Sequence, residues 1–167
     1  MPEDKINMQT KRVASLELAN YILAQIGKMN HLKLQKLVYY AEAYHLAYFN
    51  QSIISDDFQA WLHGPVSRKL WDLFKLRANI YDNIPTPKDG PLLIKKFRER
   101  ITEDQLELID DVIKEFGKLS AYRLECLTHS EKPWKSARKG YVDADKCEVI
   151  INKEEMKKYY KKNLYRA

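Results

Sequence analysis

The chain has 167 residues, enough for one core that folds without metal or disulfide staples. Its composition, 45% hydrophobic and 31% charged, is that of an ordinary globular protein. No apolar run approaches the roughly 20 residues that span a bilayer, which excludes a transmembrane reading.

The net charge of +6 invites a nucleic-acid reading, so its distribution matters more than its total. Residues 1–50, 51–100, 101–150 and 151–167 carry +2, +3, −3 and +4. Charge is therefore mixed except at the tail. There Lys157, Lys158, Lys161, Lys162 and Arg166 alternate with Tyr159, Tyr160 and Tyr165 and offer contacts to phosphates and bases. The competing reading, which charge on helices favours, is a solvated helix whose tyrosine stripe docks on the core. The opening MPEDKINMQTKR lacks the apolar centre of a secretory signal, so a cytoplasmic protein is expected. Cys126 and Cys147 have no CxxC spacing and are expected to be free thiols.

Residues 13–26 repeat apolar side chains at Val13, Leu16, Ala19, Ile22, Leu23 and Ile26, which predicts an amphipathic helix stopped by Gly27. From His31 to Phe49 one face carries Leu34, Leu37, Val38, Ala41, His45 and Tyr48, and a second carries Tyr39, Leu46 and Phe49. A helix apolar on two faces belongs inside, so this is the expected central helix.

Between 52 and 64, Phe58, Ala60 and Leu62 alternate with Gln59, Trp61 and His63, the period of a short strand. Gly64-Pro65 then predicts the start of a helix that carries Val66, Leu70, Trp71 and Phe74 and ends near Leu76. The following stretch, rich in Asp, Asn, Pro and Gly through Pro91, reads as an exposed, mobile loop. Residues 92–101 fit a short helix or an edge strand equally.

Thr102 and Gln105 have capping-box spacing ahead of Leu106, Ile109, Val112, Ile113 and Phe116, and Gly117 closes that helix. Ser120 caps the next, with Leu124 and Leu127 inward, and Pro133-Trp134 opens another turn ending at Gly140. Cys147 to Ile151 reads as a short strand, and Asn152 with Glu155 caps a final helix through Leu164. The sum is a mainly α chain, a single helical domain over residues 1–167 around a central buried helix, with a minor β element.

Catalytic and metal chemistry find little support. His31, His45, His63 and His129 form no metal-ligand pair, and Glu42 with His45 is a lone ExxH where a di-iron site needs two. Nothing matches GxSxG, GxGxxG or a phosphate-binding GxxxxGKS/T. Asp56 and Asp57 read as turn formers before they read as a nuclease pair. The expectation is a binding protein, not an enzyme, with no cofactor and no metal.

Three blocks of residues carry a resemblance. Leu32-Lys33-Leu34-Gln35-Lys36-Leu37-Val38-Tyr39-Tyr40-Ala41, then Phe58-Gln59-Ala60-Trp61-Leu62-His63-Gly64-Pro65-Val66, then Leu127-Thr128-His129 with Pro133-Trp134 and Ala137 occur in order. Together they resemble the Panacea antitoxin domain, a family also known as phage-associated proteins, over a region of about 13–165. The resemblance implies a mainly helical fold and a type II antitoxin that silences a cognate toxin, encoded by an adjacent gene, by direct contact. One branch of the family resembles a proteolytic adaptor that delivers its toxin to an AAA+ protease. A phage-associated nucleic-acid-binding protein using the tail is the reading from another class, although nucleic acid and membrane are not the expected partners.

Interface anchors are typically aromatic or arginine side chains at the centre of a patch. Trp61 and His63 alternate away from Phe58, Ala60 and Leu62, so they are expected at the surface beside Arg68. Lys36 and Tyr40 lie off the main apolar stripe of the central helix, and Trp134 opens a turn with its indole half exposed. These six are the candidate partner-binding residues. The competing expectation is that about half of them build the scaffold, with His129 and Trp134 pinning the late loops to the central helix.

Overall fold

The computed structural model describes residues 9–75 and 79–164. Leu76, where a helix end was expected, and Tyr165 and Arg166 of the basic tail lie outside these residues.

Helix α1 (Ser15–Ile26) stops at Gly27, which adopts φ +106°. It starts two residues after Val13, which is buried ahead of the helix with its N–H donating to Ile53 O at 2.9 Å. After the two-residue strand β1 (Met29–Asn30), the Asn30 side chain accepts from Lys33 N–H at 2.8 Å and so caps helix α2 (His31–Phe49). All of α2 is buried except Lys33, Tyr44 and Tyr48. It is the central helix that apolarity on two faces demanded.

Strands β2 (Phe58–Trp61) and β3 (Gly64–Ser67) form an antiparallel hairpin around Leu62 and His63, with Trp61 opposite Gly64 and Phe58 opposite Ser67. Two expectations change here. Pro65 lies in β3 instead of opening a helix, and Leu62 is in the turn, 38% exposed, instead of facing inward. Helix α3 (Arg68–Phe74) starts only after Ser67, whose Oγ accepts from Leu70 N–H at 3.0 Å. The turn-rich stretch beyond it is anchored: β4 (Asn83–Ile84) pairs with β1, and Ile84 is buried.

The open choice at 92–101 resolves as helix α4 (Gly90–Arg100), with Pro91 in its first turn and Phe97 stacked on Tyr21 at 4.2 Å between ring centroids. Helix α5 (Glu103–Phe116) has the reciprocal Thr102–Gln105 capping box, and Ser120 caps α6 (Ala121–Ser130). Helix α7 (Lys132–Ala137) ends before Gly140, and α8 (Lys153–Leu164) starts where Glu155 N–H donates to Asn152 Oδ1 at 3.0 Å. The strand expected at Cys147–Ile151 contracts to one antiparallel bridge, Gln59 to Ile150.

Helices α1, α5 and α8 pack around α2, and α4 packs on α1. Among the described residues the buried polar side-chain atoms are paired except His31 Nδ1 and His129 Nε2. Glu42 Oε1 accepts from Ile53 N–H at 2.8 Å and its Oε2 meets Lys153 Nζ at 2.7 Å, which ties α8 to the centre. His45 lies 2.6 Å from Gln51 O through Nδ1 and 2.9 Å from Gln105 Nε2 through Nε2, an arrangement that suits a neutral ring protonated on Nδ1. Burial lowers its pKa to about 4. Tyr40 and Tyr160 hydroxyls both donate to Glu131 Oε1, at 2.7 and 2.9 Å, and Tyr39 joins Tyr160 at 3.0 Å. The Glu42/His45 spacing thus serves hydrogen bonds that join segments distant in sequence.

Candidate functional site

All three sequence blocks converge on the β2–β3 hairpin. In the register of Trp61 with Gly64, the peptide groups of Pro65 and Ser67 face away from β2, toward the central helix. Gln35 answers them like a short strand: its Oε1 accepts from Ser67 N–H at 2.9 Å and its Nε2 donates to Ser67 O at 3.3 Å. Lys36 Nζ donates to Pro65 O at 2.9 Å, and proline has no N–H to leave unpaired. Ser67 Oγ also donates to Asp56 Oδ2 at 2.6 Å. Two adjacent side chains of the central helix therefore close one edge of the hairpin.

The turn is held from below. Gly64 has φ +106°, and a Cβ there would lie 2.4 Å from Lys36 Cε and 2.8 Å from Thr128 Oγ1, so only glycine fits. Trp134 Nε1 donates to Trp61 O at 2.9 Å, His129 stacks on the Trp134 ring at 4.0 Å, and the Arg138 guanidinium lies 5.0 Å from its centroid. Arg138 Nη1 takes Ala60 O at 2.8 Å, while Nη2 gathers the carbonyls of Val142, Asp143 and Asp145. His63 Nδ1 meets Glu125 Oε1 at 2.6 Å and its Nε2 meets Tyr81 OH at 2.8 Å, joining the turn to α6 and to the loop after α3.

Above this support opens a cleft of about 410 Å³ lined by Trp61, Leu62, His63, Arg68, Trp71 and the 144–148 segment. The Trp61 and Trp71 rings meet edge to face at 5.6 Å, and Arg68 lies 5.9 Å from the Trp61 centroid. Arg68 pairs with Glu148 at 3.5 Å and Asp72 at 3.6 Å, both half-exposed contacts worth little in stability and readily exchanged for a partner's charges.

The six candidates divide. Trp61, His63 and Arg68 come together on the rim, half-buried or exposed. Lys36 and Tyr40, expected at the surface, are fully buried, and Trp134 is 7% exposed. The stripe on α2 misleads because the hairpin and α8 cover the helix from sides its own periodicity does not reveal. Burial lowers the Lys36 pKa to about 7, with Glu125 partly opposing it, and raises that of the Tyr40 phenol well above 10. Both residues hold the scaffold.

Three residues escaped the sequence reading. Trp71 was read only as one residue of the helix after Gly64-Pro65, yet it shares its faces between His31, stacked at 5.0 Å, and the cleft. Gln35 was read only as part of the first block, and Arg138 drew no reading of its own. Arg138 follows Trp134 by four residues, the helical spacing that brings a cation over a ring, and that was its available signal. Among the described residues no group of three or more His, Cys, Asp or Glu is placed to hold a metal ion, and no helix is long and apolar enough to cross a membrane.

Comparison with known proteins gives one match: the family model described as antitoxin SocA-like, Panacea domain, covers residues 34–135. That span runs from the central helix through Trp134 and so contains the hairpin and most of its supports. No curated protein and no solved structure matches the chain.

Proposed function

Because the chain belongs to the SocA-like antitoxins of the Panacea domain family, we propose that it neutralises a cognate protein toxin by direct contact through the hairpin cleft. The observation that carries this reading is convergence. Side chains from α2, α6, α7 and the 138–145 turn all secure one hairpin, whose Trp61, Leu62 and His63 line the cleft beside Arg68 of α3. A rigid support under two indoles and an arginine is what an interface anchor requires, since pre-ordered aromatics lose little entropy on binding. Masking of the toxin and its delivery to an AAA+ protease both begin with this contact.

The test is growth: the neighbouring gene is induced in a heterologous bacterium with and without this protein. Arrest by the neighbour and rescue by the chain are expected. The Trp61→Ala variant should remain folded, because Trp134 holds the Trp61 carbonyl and not its ring. It should bind the toxin more weakly by about 2–4 kcal/mol and fail to rescue. Full rescue by a stable Trp61→Ala protein would remove the cleft from the interface.

A further inference from the structure

The two edges of the hairpin sheet are treated differently. The β3 edge is closed by Gln35 and Lys36. On the other side the 149–151 segment lies against β2: Ala60 N–H donates to Val149 O at 2.8 Å and Ile151 N–H donates to Phe58 O at 2.7 Å. Peptide groups alternate in direction along an extended chain, so with Val149 and Ile151 turned toward β2, those of Ile150 turn outward. Neither the N–H nor the C=O of Ile150 has a hydrogen-bond partner among the described residues. Its side chain is 53% exposed and that of Val149 39%, and Tyr141 and Val142 are exposed on the preceding turn. Arg138 stops the pairing from extending by occupying Ala60 O, which holds the segment in place without covering its outer edge.

Bare sheet edges of this kind are ordinarily blunted by charge, proline or a covering element, because their peptide groups template another strand. Ile150 has none of these. In the register of Gln59 with Ile150, Glu148 falls opposite Trp61, so the edge is continuous with the cleft. Beside it Arg68 and Lys146 both reach Glu148, and Asp72 is shared between Arg68 and Lys75, so three cations face two carboxylates, a balance that favours an incoming carboxylate.

We propose that the toxin adds an extended strand to the Ile150 edge, with apolar residues at alternate positions and an acidic side chain placed over the Arg68–Lys146 end of the cleft. This rests on the antitoxin reading and names how its partner is held: by main-chain hydrogen bonds for affinity, and by the cleft for choice of side chain.

The experiment measures binding of the purified product of the adjacent gene to the full chain and three variants. Ile150→Pro removes the outward N–H, which the fold does not use, and should weaken binding by about tenfold or more while leaving circular dichroism unchanged. Ile150→Thr keeps the outward N–H and should bind more tightly than Ile150→Pro. The Ile150 amide of the wild-type chain should exchange rapidly when free and become protected in the complex, a reading that survives if the proline variant misfolds. Loss of binding in Trp61→Ala, with full binding by Ile150→Pro and an unprotected Ile150 amide, overturns the strand while keeping the antitoxin reading. A wild-type chain that fails to bind overturns both. A homodimer dispersed by Ile150→Pro would put a second copy on the edge, and also overturns it.

Discussion

Glu131 has its pKa raised to about 7 because burial disfavours its charge, an effect that hydrogen bonds from Tyr40 and Tyr160 offset only in part. Unfolded, such a carboxyl titrates near 4.5, so between these values the folded protein keeps a proton that the unfolded chain has released. Its contribution to stability is therefore present at low pH and declines as pH rises toward 7, by up to about 3 kcal/mol. His31 and His45 act in the opposite sense. Burial lowers each to about 4 from 6.5, so the unfolded chain takes up protons first and stability falls as pH drops below 6.5. Replacing Glu131 by Gln removes the first effect and leaves the second. Urea unfolding across pH 4–8 should show the variant losing the decline toward neutral pH while retaining the loss on the acid side. Parallel profiles for the two proteins would mean that Glu131 is ionised in the fold.

The hairpin is the element on which reading from sequence and reading from structure part company, and Gly64 shows why. Periodicity and caps define the helices, because the information lies within three or four residues: Asn30, Thr102, Ser120 and Asn152 each mark a helix start. Gly64-Pro65 is locally ambiguous, since proline suits both a helix's first turn and a sheet edge. What decides it are hydrogen bonds from Gln35 and Lys36, 32 and 29 residues away, which no local pattern reports. The same holds for the site. Strand alternation places Trp61 off the buried side of β2 but misplaces Leu62, which lies in the turn, and Lys36 and Tyr40 are buried because their covering elements arrive from elsewhere in the chain. Gly64→Ala tests the close fit of helix, hairpin and Thr128: a positive φ and a Cβ 2.4 Å from a buried side chain should destabilise the protein by about 2–4 kcal/mol. Toxin affinity should fall with it. An unchanged urea midpoint would show that Lys36 can leave its site without cost.

For the whole molecule, the decisive question is whether the basic end of the chain serves the fold or a second partner. Helix α8 buries Met156 and Tyr160 completely, supplies Lys153 to Glu42, and closes the Tyr39–Tyr40–Glu131 network. Deleting residues 153–167 would leave Glu42 and Glu131 buried beside lost partners, so the truncated chain should lose its near-ultraviolet circular dichroism. Truncation therefore cannot separate a nucleic-acid role from a structural one. Charge reversal can, because Lys158 and Lys162 are exposed and line a shallow basic surface with Lys132, Lys161 and Tyr159. The Lys158→Glu, Lys162→Glu double variant should melt within about 0.5 kcal/mol per substitution of the wild type. If the hairpin face is the toxin surface, it should rescue growth as well as the wild type does. A single-stranded oligonucleotide titration supplies the other arm: phosphate contacts would give an affinity that falls steeply with salt and drops further in the double variant. Loss of rescue at unchanged stability would move the toxin surface from the hairpin to α8. Full rescue without salt-sensitive binding leaves the lysines as the solvated face of a structural helix.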